Sequence, residues 1–249
     1  MGADEGWLSK RNSRKAIRAA ARLHPLLPTH DDPIPFPDAG VRRYVHHVRA
    51  KSANQAALLE ALAGFSVVAA LGPAGTGKTY LAIAKAVESL EDGKVQRIVL
   101  CRPAVEAGES LGYLPGDLHA KLAPYLRPIY DALGERLGGK RMKALIADGT
   151  IEVAPVAYMR GRTLNNAFIV IDEAQNCTYA QLKMLLTRLG WHSTMVLTGD
   201  PDQNDLLPGL SGLNEIANRL EGMERIAVIR LTDQDVVRHP LVATMLSVL

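Results

Sequence analysis

Gly72, Pro73, Ala74, Gly75, Thr76, Gly77, Lys78 and Thr79 follow one another in the pattern G-x-x-x-x-G-K-[ST], matched at every fixed position. Glycines let a backbone close around a small anion so that successive N–H groups point at it. Lys78 offers a cation to β- and γ-phosphates, and the Thr79 hydroxyl is a hard oxygen suited to Mg²⁺. A loop of this kind binds a nucleoside triphosphate, with Tyr80 closing the lining. The competing reading is a glycine turn that happens to carry a lysine, and the flanking sequence argues against it. Phe65 to Leu71 is an apolar, partly β-branched run that predicts a buried parallel strand. Leu81 to Val87 is rich in helix formers, with Ile83, Val87 and Leu90 on one face. Strand, loop and helix together aim a helix N-terminus at one point, which favours phosphate.

About 90 residues downstream, the run Ala167-Phe168-Ile169-Val170-Ile171 ends in Asp172-Glu173-Ala174-Gln175. A buried strand there delivers two carboxylates at its tip. Behind a phosphate loop the first, Asp172, is expected to hold Mg²⁺ through water, completing what Thr79 begins. Glu173 is suited to take a proton from the attacking water. A further buried strand, Thr194 to Thr198, ends in Gly199-Asp200-Pro201-Asp202-Gln203. Gln203 on that tip would orient water or a γ-phosphate oxygen; a plain Asp-Pro turn is the alternative. Near the end, Asp235-x-x-Arg238 either sets Arg238 against a triphosphate or forms a surface ion pair. Gln55 has two competing roles. It stands in the capping-box segment Ser52-Ala53-Asn54-Gln55, and it is also placed to hydrogen-bond an adenine edge.

The positioning elements follow from periodicity. A helix is expected over Leu58, Leu59 and Leu62 with a stop at Gly64, and a strand over Arg97 to Cys101. Residues 102–117 are too polar and glycine-broken for core and leave the strand's C-terminal end, where ligand sites of open sheets lie. Two or three helices are expected between Asp117 and Ala147, broken by Pro124, Pro128 and Gly138-Gly139. Tyr113, Tyr125 and Tyr130 interleave with Lys121 and Arg127 there, a pattern that stacks on single-stranded nucleic acid or simply packs. Thr150 to Pro155 is a short strand, leading to Arg160-Gly161-Arg162. Thr178 to Gln181 is a second capping box, opening a helix with Leu182, Leu185, Leu186 and Leu189 on one face and a stop at Gly190. A helix over about 212–220 and a strand over 225–231 close the pattern. Strands alternating with helices predict an α/β fold with a mainly parallel sheet.

The chain of 249 residues is 47% hydrophobic and 22% charged, ordinary for a globular protein. No apolar run approaches the ~20 residues of a membrane helix, and the N-terminus has no hydrophobic signal core. Cys101 and Cys177 fit no metal spacing and point to a reducing, cytoplasmic setting; His46-His47 lack the partners of a metal site. The net charge of +3 is unevenly spread. Lys10, Arg11, Arg14, Lys15, Arg18 and Arg22 crowd the start, a proline-rich connector follows over His24 to Pro37, and Arg42, Arg43, Arg49 and Lys51 add a second cluster. Residues 1–40 thus read as a basic arm and connector, gripping nucleic-acid phosphates or merely solvated, ahead of a folded domain over 41–249.

From about Val41 to Leu249 the sequence resembles the PhoH-like family of P-loop ATPases, relatives of the superfamily-one helicase core. The segments GPAGTGKTYLA, CRPAVEAGESLGYLPGD, APYLRPIYD, YMRGRTL, IDEAQN, LTRLG, TGDPDQ and DVVRHPLV carry the resemblance. It implies a RecA-like P-loop NTPase fold, three layers α/β/α, with the strand bearing Thr198 between those of the P-loop and Asp172. It implies ATP hydrolysis with Mg²⁺ and a link to RNA metabolism, single-stranded RNA being the expected ligand; RNA-processing or ribosome-associated factors would be the partners of an adaptor that does not unwind. Gln55 becomes similar to the adenine-reading glutamine of those helicases, and Gln203 to their γ-phosphate glutamine. No nuclease-type domain is appended, so RNA cleavage is not expected of this chain.

Helicases of that class hydrolyse ATP between two RecA-like domains, the second supplying an arginine. One P-loop and roughly 200 residues of folded sequence suffice for one such domain. The expectation is therefore a homo-oligomeric ring, a hexamer by the resemblance, with Arg160 or Arg162 reaching a neighbour's site. RNA binding or surface pairing is the plainer role for both. Two other classes compete. A small-molecule P-loop kinase is disfavoured by Glu173, since a water-activating base defeats a kinase. A nucleotide-switched adaptor without unwinding uses the same residues.

Overall fold

The computed structural model describes residues 48–103, 118–203, 205–207 and 209–237, with backbone alone over 118–125. In chain order the helices are α1 (Ala53–Gly64), α2 (Lys78–Glu91), α3 (Leu118–Leu137), α4 (Gly139–Ala147), α5 (Tyr179–Leu186) and α6 (Leu213–Leu220). The strands are β1 (Val67–Leu71), β2 (Arg97–Arg102), β3 (Ile151–Pro155), β4 (Ala167–Ile171), β5 (Thr194–Gly199) and β6 (Ile226–Arg230). They form one six-stranded sheet in the order β3-β2-β4-β5-β1-β6, with every pair parallel. β5 lies between β1 and β4, as the resemblance implied.

Period-two alternation sorts the side chains into two cores. Val68, Ile98, Leu100, Phe168, Val170 and Val196 face α1 to α4, where Leu58, Leu62, Ile83, Val87, Ile129, Leu133 and Met142 meet them. Leu71, Val99, Cys101, Ile169, Ile171, Met195 and Leu197 face α5 and α6, packing on Leu182, Leu185, Leu213 and Ile216. Because both faces are covered, β1 and β4 are buried at every position and read as unbroken apolar runs. The architecture is a three-layer α/β/α sandwich of the RecA-like P-loop type.

Two expectations differ from the fold. The break at Pro124 and Pro128 does not occur: α3 runs unbroken from Leu118 to Leu137 and ends at Gly138. Proline removes one backbone donor and disfavours helix, yet Leu126, Ile129, Leu133 and Leu137 all bury on one stripe of α3, and that packing outweighs it. Helix α5 ends at Leu186 rather than at Gly190. The chain turns there, with Arg188 N donating to Leu185 O and the Arg188 guanidinium to the carbonyls of Met184 and Arg162. Of the tyrosine–basic pattern, Tyr130 packs against the core beside α2, while Tyr113 and the side chains of Lys121 and Tyr125 lie outside the described residues. So do His46-His47, the basic arm, the connector and the expected boundary at Val41.

Cys101 and Cys177 are free and buried, and burial pushes both thiols up to about 12. Neither is a reactive thiolate. Titration of the native protein with a thiol-reactive chromophore is expected to label neither cysteine until denaturant is added; fast native labelling would contradict the packing.

Candidate active site

Four adjacent strands, β2, β4, β5 and β1, deliver their C-terminal ends to one point. From β1 the chain enters the phosphate loop. Gly72 (φ +138°) passes so close to Leu231 that a Cβ would run into the Leu231 carbonyl. Gly77 (φ +83°) is the N-cap of α2 and offers no side-chain cap. The first-turn N–H groups of a 14-residue helix are thus left to whatever binds in front of them. Lys78 is buried and folds its ammonium back onto the carbonyls of Gly72 and Pro73. Burial pulls its pKa down, against the opposing pull of Asp200, Glu173 and Asp172. An anion in the loop would replace those carbonyls as the partner of the ammonium.

Asp172 is buried at the tip of β4, and the parallel register explains its neighbours. Cys101 and Leu197 both pair with Ile171, so the next residues, Arg102 and Thr198, flank Asp172 from either side. Thr198 Oγ1 donates to Asp172 Oδ1 at 2.8 Å, and Thr79 Oγ1 donates to the same oxygen at 2.6 Å. The Arg102 guanidinium spans both carboxylates, 3.2 Å from Asp172 Oδ2 and 3.3 Å from Glu173 Oε1. Glu173 adopts left-handed backbone (φ 52°, ψ 43°), an uncommon conformation for a non-glycine that turns its carboxylate back over the sheet end. Gln175 holds the other Glu173 oxygen at 2.6 Å and accepts from Asp200 N at 3.1 Å, tying the ends of β4 and β5 together.

A cavity of about 290 Å³ is lined by the loop, by Thr79, Asp172 and Glu173, and by Gly199, Asp200 and Gln203. Among the described residues no group of three or more His, Cys, Asp or Glu is arranged to cage a metal. A hydroxyl and a buried carboxylate sharing one hydrogen bond instead fit Mg²⁺ that takes its remaining ligands from phosphate and water.

The other expected residues divide. Thr76 is fully buried and donates to Pro73 O. Tyr80 lines the cavity, but its hydroxyl donates to Glu135 on α3. Gln55 is buried beneath the loop, accepting from Lys51 N at 2.8 Å and donating to Thr76 O at 3.0 Å. Only half of the capping box forms, with Ser52 capping Gln55 N. Among the described residues Gln55 makes one donated and one accepted side-chain bond, leaving one N–H and one lone pair without a described partner. Arg162 is held by Glu152 through two bonds of 2.6 Å, which raises the Arg162 pKa and lowers that of Glu152. Arg160 is exposed, with no side-chain partner among the described residues, in the connection leaving the edge strand β3. Arg238 lies outside the described residues; Val237 donates its backbone N–H to Gly75 O at 2.9 Å.

Asp235 secures that approach. Burial pushes its carboxyl up, but hydrogen bonds from Asn54, Ser52 and Thr232 outweigh this and pull it down to about 2. A depressed acid stabilises the fold fully above its unfolded value near 3.8 and loses that contribution as pH falls through about 2. Asp235→Asn is expected to cost about 1–3 kcal/mol in urea denaturation at neutral pH. The gap from wild type should narrow as the pH falls below about 4.

Arg102, Gln175, Thr198 and Asp200 were not among the expected site residues. Asp200 and Thr198 could have been taken from the polar tip of β5. Arg102 needed the register of β2 against β4.

The family described as PhoH-like protein matches residues 47–249. A PhoH-like protein of Bacillus subtilis is 54% identical over 201 residues, covering 80% of this chain and 63% of the relative. One of Mycobacterium tuberculosis is 54% identical over 201 residues, covering 80% and 57%. Protein PhoH of Escherichia coli is 45% identical over 197 residues, covering 78% and 56%. The chain thus spans 56–63% of the length of these relatives. Among solved structures, Pif1 helicase from Candida albicans is 17% identical with a TM-score of 0.37, covering 80% of this chain and 44% of its own.

Proposed function

The chain belongs to the PhoH-like family, and on that premise we propose that it is an ATPase whose turnover is coupled to single-stranded RNA and completed by a neighbouring copy in a ring. The observation that carries the reading is the pair Asp172-Glu173, held at the tip of β4 against Thr79 and facing Lys78 across one cavity. Mg²⁺, when bound, would neutralise the phosphate oxygens and sit against Thr79 and Asp172. The α2 N-terminus and Lys78 would hold the phosphate chain, and Gln55 the adenine edge. Glu173 would take a proton as a water oxygen bonds to the γ-phosphorus and the bond to the ADP oxygen breaks. Gln203 would orient that water. Glu173 beside Asp172 also argues against a kinase.

In a ring, a neighbouring copy would supply an arginine to the γ-phosphate. Arg160 is the better candidate, because it is exposed and unpaired among the described residues, whereas Arg162 is committed to Glu152. Arg238 would be the alternative within the same chain. We place the protein in the cytoplasm on its two free thiols; among the described residues no helix is long and apolar enough to cross a membrane.

A second reading, a nucleotide-switched adaptor for RNA-processing or ribosome-associated proteins, gains support from one feature. Both Glu173 oxygens accept hydrogen bonds, from Arg102 and Gln175, and proton uptake by the carboxylate would weaken those bonds to its charged form. Phosphate release from ATP with and without single-stranded RNA separates the two. Several-fold stimulation supports the RNA-coupled ATPase. Slow turnover indifferent to RNA supports the switch.

A further inference from the structure

Arg102 is the residue that the proposed chemistry does not use. It ends β2, its side chain is 19% exposed, and it is the cation that touches both carboxylates. Its two contacts fall on Asp172 Oδ2 and Glu173 Oε1. The other Asp172 oxygen already serves Thr79 and Thr198, and the other Glu173 oxygen serves Gln175. Arg102 thus stands on the one oxygen of each carboxylate that has no other partner among the described residues, where a metal's water or an attacking water would otherwise bind. Lys78 lines the same cavity with its ammonium donating to the carbonyls of Gly72 and Pro73.

We propose that Arg102 is a latch: it holds the place of the divalent cation in the nucleotide-free protein and must leave Asp172 and Glu173 before hydrolysis begins. The inference rests on the ATPase reading above. Guanidinium and a hydrated dication compete for the same two carboxylates, and like charges on one pair of oxygens repel. A site held in the latched arrangement binds its cation with an apparent affinity reduced by the fraction that is open. Departure of Arg102 frees Glu173 Oε1 for water while Gln175 keeps the carboxylate aimed. Arg102 is a positioning residue in this scheme, since it acts through the two carboxylates and touches no reacting atom.

Three properties separate the latch from an arginine that binds the γ-phosphate in its own chain. The Arg102→Ala protein should need about 5–10-fold less Mg²⁺ for half-maximal binding of a fluorescent ATP analogue. Its affinity for that analogue in EDTA should stay within about twofold of wild type, because Arg102 does not touch the loop. Mg²⁺ alone, without nucleotide, should raise its melting temperature more than that of wild type, since two bare carboxylates await the ion. An unchanged Mg²⁺ requirement, or a large loss of affinity in EDTA, overturns the latch. Should Arg102→Ala fail to fold, Arg102→Lys decides by the same titrations, as one ammonium cannot span both carboxylates. It should show a smaller shift in the same direction, and no shift rejects the proposal. Failure of the wild-type protein to bind the analogue at all, with or without Mg²⁺, would instead remove the ATPase reading itself.

Discussion

Glu173→Gln is expected to lower phosphate release from ATP by about 10²–10⁴-fold, the usual worth of a positioned general base. Nucleotide affinity should stay within about twofold, because Glu173 contributes no group to the phosphate loop. The substitution keeps shape and can keep the contact with Gln175, whose Nε2 donates to a Glu173 oxygen. It removes the one property that matters, the capacity to accept a proton at neutral pH. Equilibrium binding of a fluorescent analogue and single-turnover phosphate release check the two halves separately. A variant that hydrolyses at half the wild-type rate would assign the base elsewhere, with Asp200 the nearest unassigned carboxylate in the cavity. Lys78→Ala is the contrasting control, since it should remove affinity itself.

Arg160→Ala carries the second large effect, a loss of about 10³-fold or more in turnover, as for other arginines supplied to a transferring phosphoryl group. Binding to a single subunit should be unaffected. Arg162→Ala should leave turnover per assembled site nearly intact and cost about 1 kcal/mol or less of stability, because the pair with Glu152 is a third exposed on each side. Mixing makes the test specific to trans action. Subunits carrying Lys78→Ala and subunits carrying Arg160→Ala should each be inactive alone. A mixed ring would contain interfaces where an intact loop meets an intact arginine, so activity should return. Arg160→Ala with wild-type turnover, or mixtures that stay inactive, would remove Arg160 from the site.

The phosphate loop and the Asp172-Glu173 pair were legible because each is encoded locally. A run of glycines with a lysine, or an apolar strand ending in carboxylates, needs no knowledge of what lies beside it. The three-layer fold was legible for a related reason: strands covered on both faces read as solid apolar runs, and β1 and β4 do. What was not legible depends on register and packing. Arg102 reaches Asp172 only because Cys101 pairs with Ile171, and no spacing along the chain reports that. Arg160 and Arg162 look equivalent in sequence; Glu152, ten positions back on β3, distinguishes them. Proline marked α3 as broken, but the buried stripe from Leu126 to Leu137 keeps it whole. Gln55 showed two roles in sequence and has a third in the fold, bracing the loop through Thr76 O.

The measurement that tests the account most directly is Mg²⁺-dependent phosphate release from ATP per site, followed with the oligomeric state as wild-type protein is diluted over a wide concentration range. The account predicts that the rate per site rises steeply with assembly and vanishes in Glu173→Gln at every concentration. A rate per site that is the same in monomer and oligomer would contradict the shared site, and no release at any concentration would contradict the ATPase.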